Sequence, residues 1–341
     1  MPTTHVWLLD RGGPEAEADV RPWLERLARD PTTSPLPGAL VFLLAWVWSH
    51  WAARRVVPVC RQIGGPAPQL SDAREQARLV QQVLGKRYKV HPVFRNGGED
   101  ARSARAALGK SDQVVLVPLH PQRHPEASHA ALKDAWKALS GRPNPATALE
   151  AWGLEDGLLS LLALRVREAL IDLQDQGPTG LVLASAAPPK SGTRAADDFL
   201  AELAETATRL KQQVRFGGPV VQAWIPALAG GSAPSPDVPT AVTLCQKKGA
   251  RSVIVVPVGC TTSWPELRTV TADALEQATG IDKARVLLPL APSVDFARLL
   301  ATLVRKAERD AEWEVPEDDV RQDIEAELRA AGHRLIAGGH P

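Results

Sequence analysis

Residues 114–119 read VVLVPL and residues 252–258 read SVIVVPV, and these two segments decide the fold. Both are short, continuously apolar and rich in valine. That is the composition of a parallel strand covered on both faces, not of a strand with one wet side. Each follows, one or two helices later, a strand that ends in a tight turn: DRGGP from Asp10 in the first half, ASAAPP from Ala184 in the second. The chain therefore reads as a duplicated unit with a boundary near Gly177-Pro178.

Outward from these strands, short apolar runs alternate with amphipathic stretches. Residues 5–9 and 89–94 read as strands in the first half, and 180–184, 220–224 and 284–289 in the second. Helices are expected over 16–29, with Val20, Trp23, Leu24 and Leu27 on one face, and over 71–84, capped by Ser71 or Asp72. Further helices are expected over 101–108, 158–173, 195–213, 241–248 (with Gly249 as C-cap), 264–277 and 294–309. The alternation predicts an α/β protein of two similar, doubly wound parallel-sheet halves with helices on both faces, a Rossmann-type arrangement. The halves are assigned to residues 1–176 and 177–309, with a helical tail over 310–341. A ligand in such a fold sits beyond the carboxyl ends of the strands. Those ends are Asp10-Arg11, His120 onward, residues 185–187 and Gly259 onward.

The chain carries 40 basic and 39 acidic residues, so no basic excess supports nucleic-acid binding. Cys60, Cys245 and Cys260 lie far apart and form no C-x-x-C pair, which argues against a zinc ribbon or an iron–sulfur cluster. Free thiols and the lack of a signal pattern point to a cytoplasmic protein. The most apolar run is ALVFLLAWVW over residues 39–48. Ten helical residues rise only about 15 Å, half a bilayer core. The run is either a buried helix or an apolar lip that touches a membrane surface, a protein or a greasy ligand. Trp46, Trp48 and Trp51 favour interfaces.

Several segments, taken in order, resemble ferrochelatase, the family that inserts ferrous iron into a porphyrin. Gly12-Gly13-Pro14 resembles its N-L-G-G-P turn, and Val20-Arg21-Pro22-Trp23-Leu24 with Asp30-Pro31 its V-x-P-[FY]-L and D-P pairing. Arg61-Gln62-Ile63-Gly64-Gly65 resembles R-x-I-G-G, Arg95 falls in M-R-Y, and residues 117–122 resemble L-P-L-Y-P-Q. In the second half, residues 183–188 lie over F-S-A-H-G. Pro239-Thr240, Lys248-Gly249, residues 255–258 and Trp264-Pro265-Glu266 lie over P-x-T, K-G, V-V-P-I and H-I-E-T.

The resemblance implies a porphyrin-type ligand, with Fe2+ as a substrate and no built-in cofactor. It implies Glu266 as the catalytic carboxylate and a substrate site drawn from Asp10, Arg11, Arg61, Ile63, Arg95, Ala187 and Trp264. The departures fall where the chemistry belongs. The family histidine lies at Ala187, and the histidine two before the glutamate at Trp264. A tyrosine lies at Cys60, an asparagine at Asp10, and the serine that contacts a porphyrin carboxylate at Ala67. Metal insertion must remove two pyrrole protons, which suits a base of near-neutral pKa, and alanine is no base. His120 and His124, with Glu126 and His129 beside them, are the candidates for a substitute metal or proton-relay site, or else are solvated loop histidines. Asp10 and Arg11 either contact ligand carboxylates or pair with each other. Three functions follow: a degenerate chelatase that binds a tetrapyrrole, an active chelatase with rearranged residues, or a non-catalytic partner of a true ferrochelatase.

Overall fold

The computed structural model describes residues 2–30, 41–63, 65, 68–174, 177–187, 194–227, 235–267 and 281–311, without the side chains of Phe42 and Leu43. The first half runs β1 (Thr4–Asp10), a 3-10 turn (Glu17–Asp19), α1 (Val20–Arg29), α2 (Val41–Gln62), α3 (Pro68–Leu84), β2 (Tyr88–Phe94), α4 (Ala101–Ala106) and β3 (Gln113–Pro118). It continues through a π-helical turn (Pro125–His129), α5 (Ala130–Leu139), β4 (Ala146–Ala148) and α6 (Asp156–Asp172). The second half comprises β5 (Thr179–Ala186), α7 (Arg194–Val214), β6 (Val220–Ile225), α8 (Val238–Lys247), β7 (Ser252–Pro257), β8 (Lys283–Val286) and α9 (Val294–Asp310).

Two four-stranded sheets result, ordered β2-β1-β3-β4 and β6-β5-β7-β8, with every pairing parallel. The duplication extends to single hydrogen bonds. Pro118 pairs with Leu9 and Pro257 with Ala184. The next amides, of Leu119 and Val258, then donate to the carbonyls of Leu9 and Ala184, each at 2.8 Å. Beyond the last rungs, Leu149 N–H donates to Leu116 O and Leu287 N–H to Val255 O, each at 2.9 Å.

Alternate residues of each strand point to opposite faces. Val6, Leu8, Val115 and Val117 of one sheet join Leu181, Leu183, Ile254 and Val256 of the other in one central core, filled by side chains of α3, α6, α7 and α9. Trp7, Leu9, Val114 and Leu116 face outward under α4 and α5. Val182, Ala184, Val253 and Val255 face outward under α8. Double coverage is why these strands are apolar without alternation. A separate cluster joins Val20, Trp23, Leu24 and Leu27 of α1 to Ala52, Val56 and Cys60 of α2.

The structure refines several expectations, and the strand read over 284–289 spans Lys283–Val286. The helix read over 71–84 starts at Pro68, so neither Ser71 nor Asp72 caps it. Ser71 Oγ donates to Pro68 O at 2.8 Å, while Asp72 Oδ2 accepts from Ser263 N–H at 2.9 Å across the halves. Helix α5 and strand β4 were not anticipated. The apolar run belongs to a helix that continues to Gln62 and is both buried and exposed: Ala45 and Ala52 are fully buried, whereas Trp46 is 55% and Trp51 46% exposed. The helix over 264–277 is described only at its start, and the tail beyond residue 311 and the Ala67 position lie outside the described residues.

Candidate functional site

A cleft of about 1160 Å³, counted to its open mouth, lies across the carboxyl ends of both sheets. Strands β1, β3, β5 and β7 deliver Asp10 and Arg11, His120, Ala187, and Thr262 with Trp264 to it; α1, α2 and α3 add Trp23, Cys60 and Gln69. Gly12 makes the turn that follows Arg11. Its φ is +76°, and a Cβ there would lie 2.6 Å from Gly97 O, so only glycine fits.

Asp10 is 2% exposed. Its Oδ2 accepts from Thr262 Oγ–H at 2.8 Å and its Oδ1 from the Arg11 backbone N–H at 2.6 Å. Burial raises its pKa to about 6, against the pull of these donors. The side chains of Asp10 and Arg11 do not form the expected pair. Arg11 makes no ion pair among the described residues, and its Nε is buried without a partner. Only its backbone binds Asp10.

The two loop histidines differ. His120 faces the cleft with Nδ1 4.0 Å from Asp10 Oδ1. His124 is 6% exposed and its ring meets Phe199 edge-on at 4.6 Å. Its Nδ1 accepts from Glu126 N–H at 3.2 Å, which puts the ring proton on Nε2; that nitrogen donates to Ala187 O at 3.3 Å. Both nitrogens are therefore used, and His124 fastens the first half to the second at Ala187. Burial holds both histidines down to about 4, with Arg11 adding to the effect. They are neutral at pH 7. His129 is exposed and does not line the cleft. Among the described residues no group of three or more His, Cys, Asp or Glu side chains could hold a metal ion.

His124-Pro125-Glu126 and Trp264-Pro265-Glu266 follow β3 and β7 and open a helical turn in each half. His124, Glu126, Trp264 and Glu266 all line the cleft, so the duplicated fold brings a glutamate from each half to it. The sequence placed Glu126 beside the loop histidines and Trp23 on the apolar face of a helix, but it assigned neither Trp23 nor the helix-borne Gln69 to the cleft. The X-Pro-Glu repeat was the available signal for Glu126; nothing local marked the other two. Trp264 is half-buried, and its Nε1–H has no partner among the described residues. Cys60 faces the cleft, and burial pushes its thiol up to about 11.

Three expected ligand contacts are absent from the cleft lining. Arg95, 10% exposed, forms a bidentate pair with Asp30 at 2.7 and 3.0 Å and bonds Asp134 through Nε at 2.6 Å. It ties the end of β2 to α1 and α5. Arg61 is 68% exposed and grips Glu17 at 2.5 and 2.8 Å. Ile63, half-buried at the end of α2, does not reach the cleft either.

Residues 3–308 match the family model described as Ferrochelatase. A ferrochelatase of Synechococcus sp. (strain RCC307) is 26% identical over 319 residues, covering 89% of this chain and 82% of that protein. A ferrochelatase of Caulobacter vibrioides is 30% identical over 171 residues, about half of each chain (48% and 49%). Among solved structures, CbiX, the terminal enzyme for biosynthesis of siroheme in denitrifying bacteria, aligns with a TM-score of 0.50 at 16% identity, over 89% of this chain and 99% of that one. A multi-domain Deinococcus radiodurans protein with structural similarity to chelatases aligns with a TM-score of 0.50 at 14% identity, over 98% of this chain and 61% of its own. At these identities the two structures speak to the fold.

Proposed function

Because the chain belongs to the ferrochelatase family, we propose that its cleft binds a porphyrin-type tetrapyrrole and that histidine-driven metal insertion has been lost from it. The observation that carries this reading is Ala187. Where the family carries a histidine, this chain offers a methyl group and a carbonyl that already accepts from His124. The remaining nitrogen bases are poor substitutes. A base works best with a pKa near the working pH, and His120 and His124 sit at about 4. Asp10, at about 6, is better matched, but both its oxygens already accept hydrogen bonds. Trp264 offers a flat ligand an aromatic face and a metal no ligand.

Porphyrin titration followed by Fe2+ or Zn2+ tests this, read in the absorbance bands. Binding without acceleration of insertion over a protein-free control supports the reading. Accelerated insertion favours the active chelatase with rearranged residues, and absence of binding favours the non-catalytic partner subunit.

The outer face of α2 supports a second property, contact with a membrane surface. Leu44, Trp46, Val47 and Trp51 are exposed on a helix that contains no acidic residue. Arg55 lies 3.8 Å over the Trp51 ring. Tryptophan with arginine suits the interfacial layer of an anionic bilayer. No helix among the described residues is long and apolar enough to cross a membrane.

A further inference from the structure

Helix α3 carries a polar stripe on its packed side. Gln69, Asp72 and Gln76 stand three and four residues apart, the spacing of one helix face. Gln69 and Gln76 are buried, and Asp72 is half-buried. Each side chain binds the backbone of a different segment. Gln69 Nε2–H donates to Gly12 O in the turn after β1. Asp72 Oδ2 accepts from Ser263 N–H at 2.9 Å in the segment after β7. Gln76 Oε1 accepts from Ser293 N–H at 2.9 Å, at the residue that caps α9. One helix of the first half thus holds a turn of its own half and two segments of the other.

The segment after β7 is the one that reaches the cleft, and it is fastened to the first half residue by residue. Thr261 Oγ–H donates to Leu119 O at 2.7 Å, Thr262 Oγ–H to Asp10 Oδ2 at 2.8 Å, and Ser263 N–H to Asp72. All three donor residues are buried. Trp264 comes next and Glu266 two residues later, both on the cleft wall. Asp10 lines the cleft itself, whereas Asp72 does not. A bond from an amide to a carboxylate is among the stronger hydrogen bonds, and a buried amide that loses its acceptor must move to find another.

We propose that Asp72 is a positioning residue: from outside the cleft it fixes the segment that aims Trp264 and Glu266 at the ligand, so that α3 of one half sets the cleft wall of the other. This rests on the tetrapyrrole reading for the identity of the ligand, but the hold on the segment does not depend on that identity.

The test compares Asp72→Ala and Asp72→Asn with the wild type as full chains. Amide hydrogen exchange is read by mass spectrometry over a peptide spanning residues 258–267, and coproporphyrin affinity by tryptophan-fluorescence titration. Asp72→Ala is expected to speed exchange in that peptide about tenfold, with β3 unchanged, and to weaken coproporphyrin binding about tenfold. Asp72→Asn keeps a side-chain oxygen that accepts from Ser263 N–H, and restores both readouts to within about threefold of wild type. A residue that served stability alone would lower Tm and move neither. Unchanged exchange in folded Asp72→Ala overturns the proposal, as does faster exchange with unchanged affinity. An Asp72→Asn protein as impaired as Asp72→Ala also overturns it, because the charge and not the bond would then matter. If Asp72→Ala does not fold, Asp72→Glu keeps the charge but shifts the acceptor; impairment of both readouts supports the proposal, and wild-type behaviour overturns it. A folded wild type that binds no porphyrin removes the tetrapyrrole reading alone. Exchange then decides by itself: acceleration in Asp72→Ala that Asp72→Asn reverses supports the positioning role, and its absence overturns it.

Discussion

His124 Nε2 lies 3.3 Å from the carbonyl oxygen of Ala187, so the imidazole that follows β3 is bonded to the backbone at the end of β5 in the other half. The same ring caps the turn that begins at Pro125 by accepting from Glu126 N–H. A histidine engaged on both nitrogens fastens the two halves to each other.

His124→Ala is accordingly expected to destabilise the fold by about 1–3 kcal/mol, the cost of leaving buried partners unpaired. Urea denaturation measures it. Tetrapyrrole affinity of the folded variant stays within about threefold of wild type, which separates this role from that of a metal ligand.

Arg95→Met is expected to act on stability alone. Arg95 pairs with Asp30, whose side chain is 7% exposed, and removing one partner of a buried pair costs about 3–5 kcal/mol. A lower Tm with unchanged porphyrin affinity is the predicted result. An unchanged Tm with weakened binding would restore Arg95 to the ligand site.

Stability should rise between pH 4 and pH 6.5. His91, His120 and His124 sit at about 4 in the folded chain, against 6.5 as the ordinary value. The unfolded chain therefore binds more protons in that window, and the stability these groups contribute above pH 6.5 is lost as pH falls through it. Asp10 works in the opposite sense. Its pKa is raised from 3.8 to about 6, so its contribution is complete below 3.8 and is lost as pH rises through 6. Three groups outweigh one, and Asp10→Asn should steepen the climb. Urea midpoints at pH 4.5, 5.5 and 6.5 read both slopes.

Trp46→Ser/Trp51→Ser should abolish cosedimentation with vesicles rich in phosphatidylserine while leaving porphyrin binding unchanged. Loss of porphyrin binding in the same variant would assign the exposed face of α2 to the ligand.

Much of this arrangement was legible in the chain itself. The paired runs VVLVPL and VIVVPV became β3 and β7 with matching hydrogen bonds, because a doubly covered strand must be apolar throughout. Asp10, Arg11, His120, Ala187, Trp264 and Glu266 reached the cleft because they sit at or just beyond strand ends. Strand β4 is three residues long and carries no period to read. Arg61 and Arg95 were drawn toward the ligand by their position in family motifs. Their orientation depends on Glu17, Asp30 and Asp134, partners remote in sequence whose pairing no local pattern announces. Trp23 and Gln69 enter the cleft from helices, and their side of each helix is fixed only by tertiary packing.

We propose that this family member binds a tetrapyrrole without histidine-driven metal insertion. The most direct test is an absorbance assay with purified full-length protein, coproporphyrin and Zn2+ or Fe2+ under anaerobic conditions, at pH 7. A shifted porphyrin band on binding is expected, with metalloporphyrin formation no faster than without protein. Catalysed insertion, abolished by His120→Ala or Glu266→Gln, would contradict it.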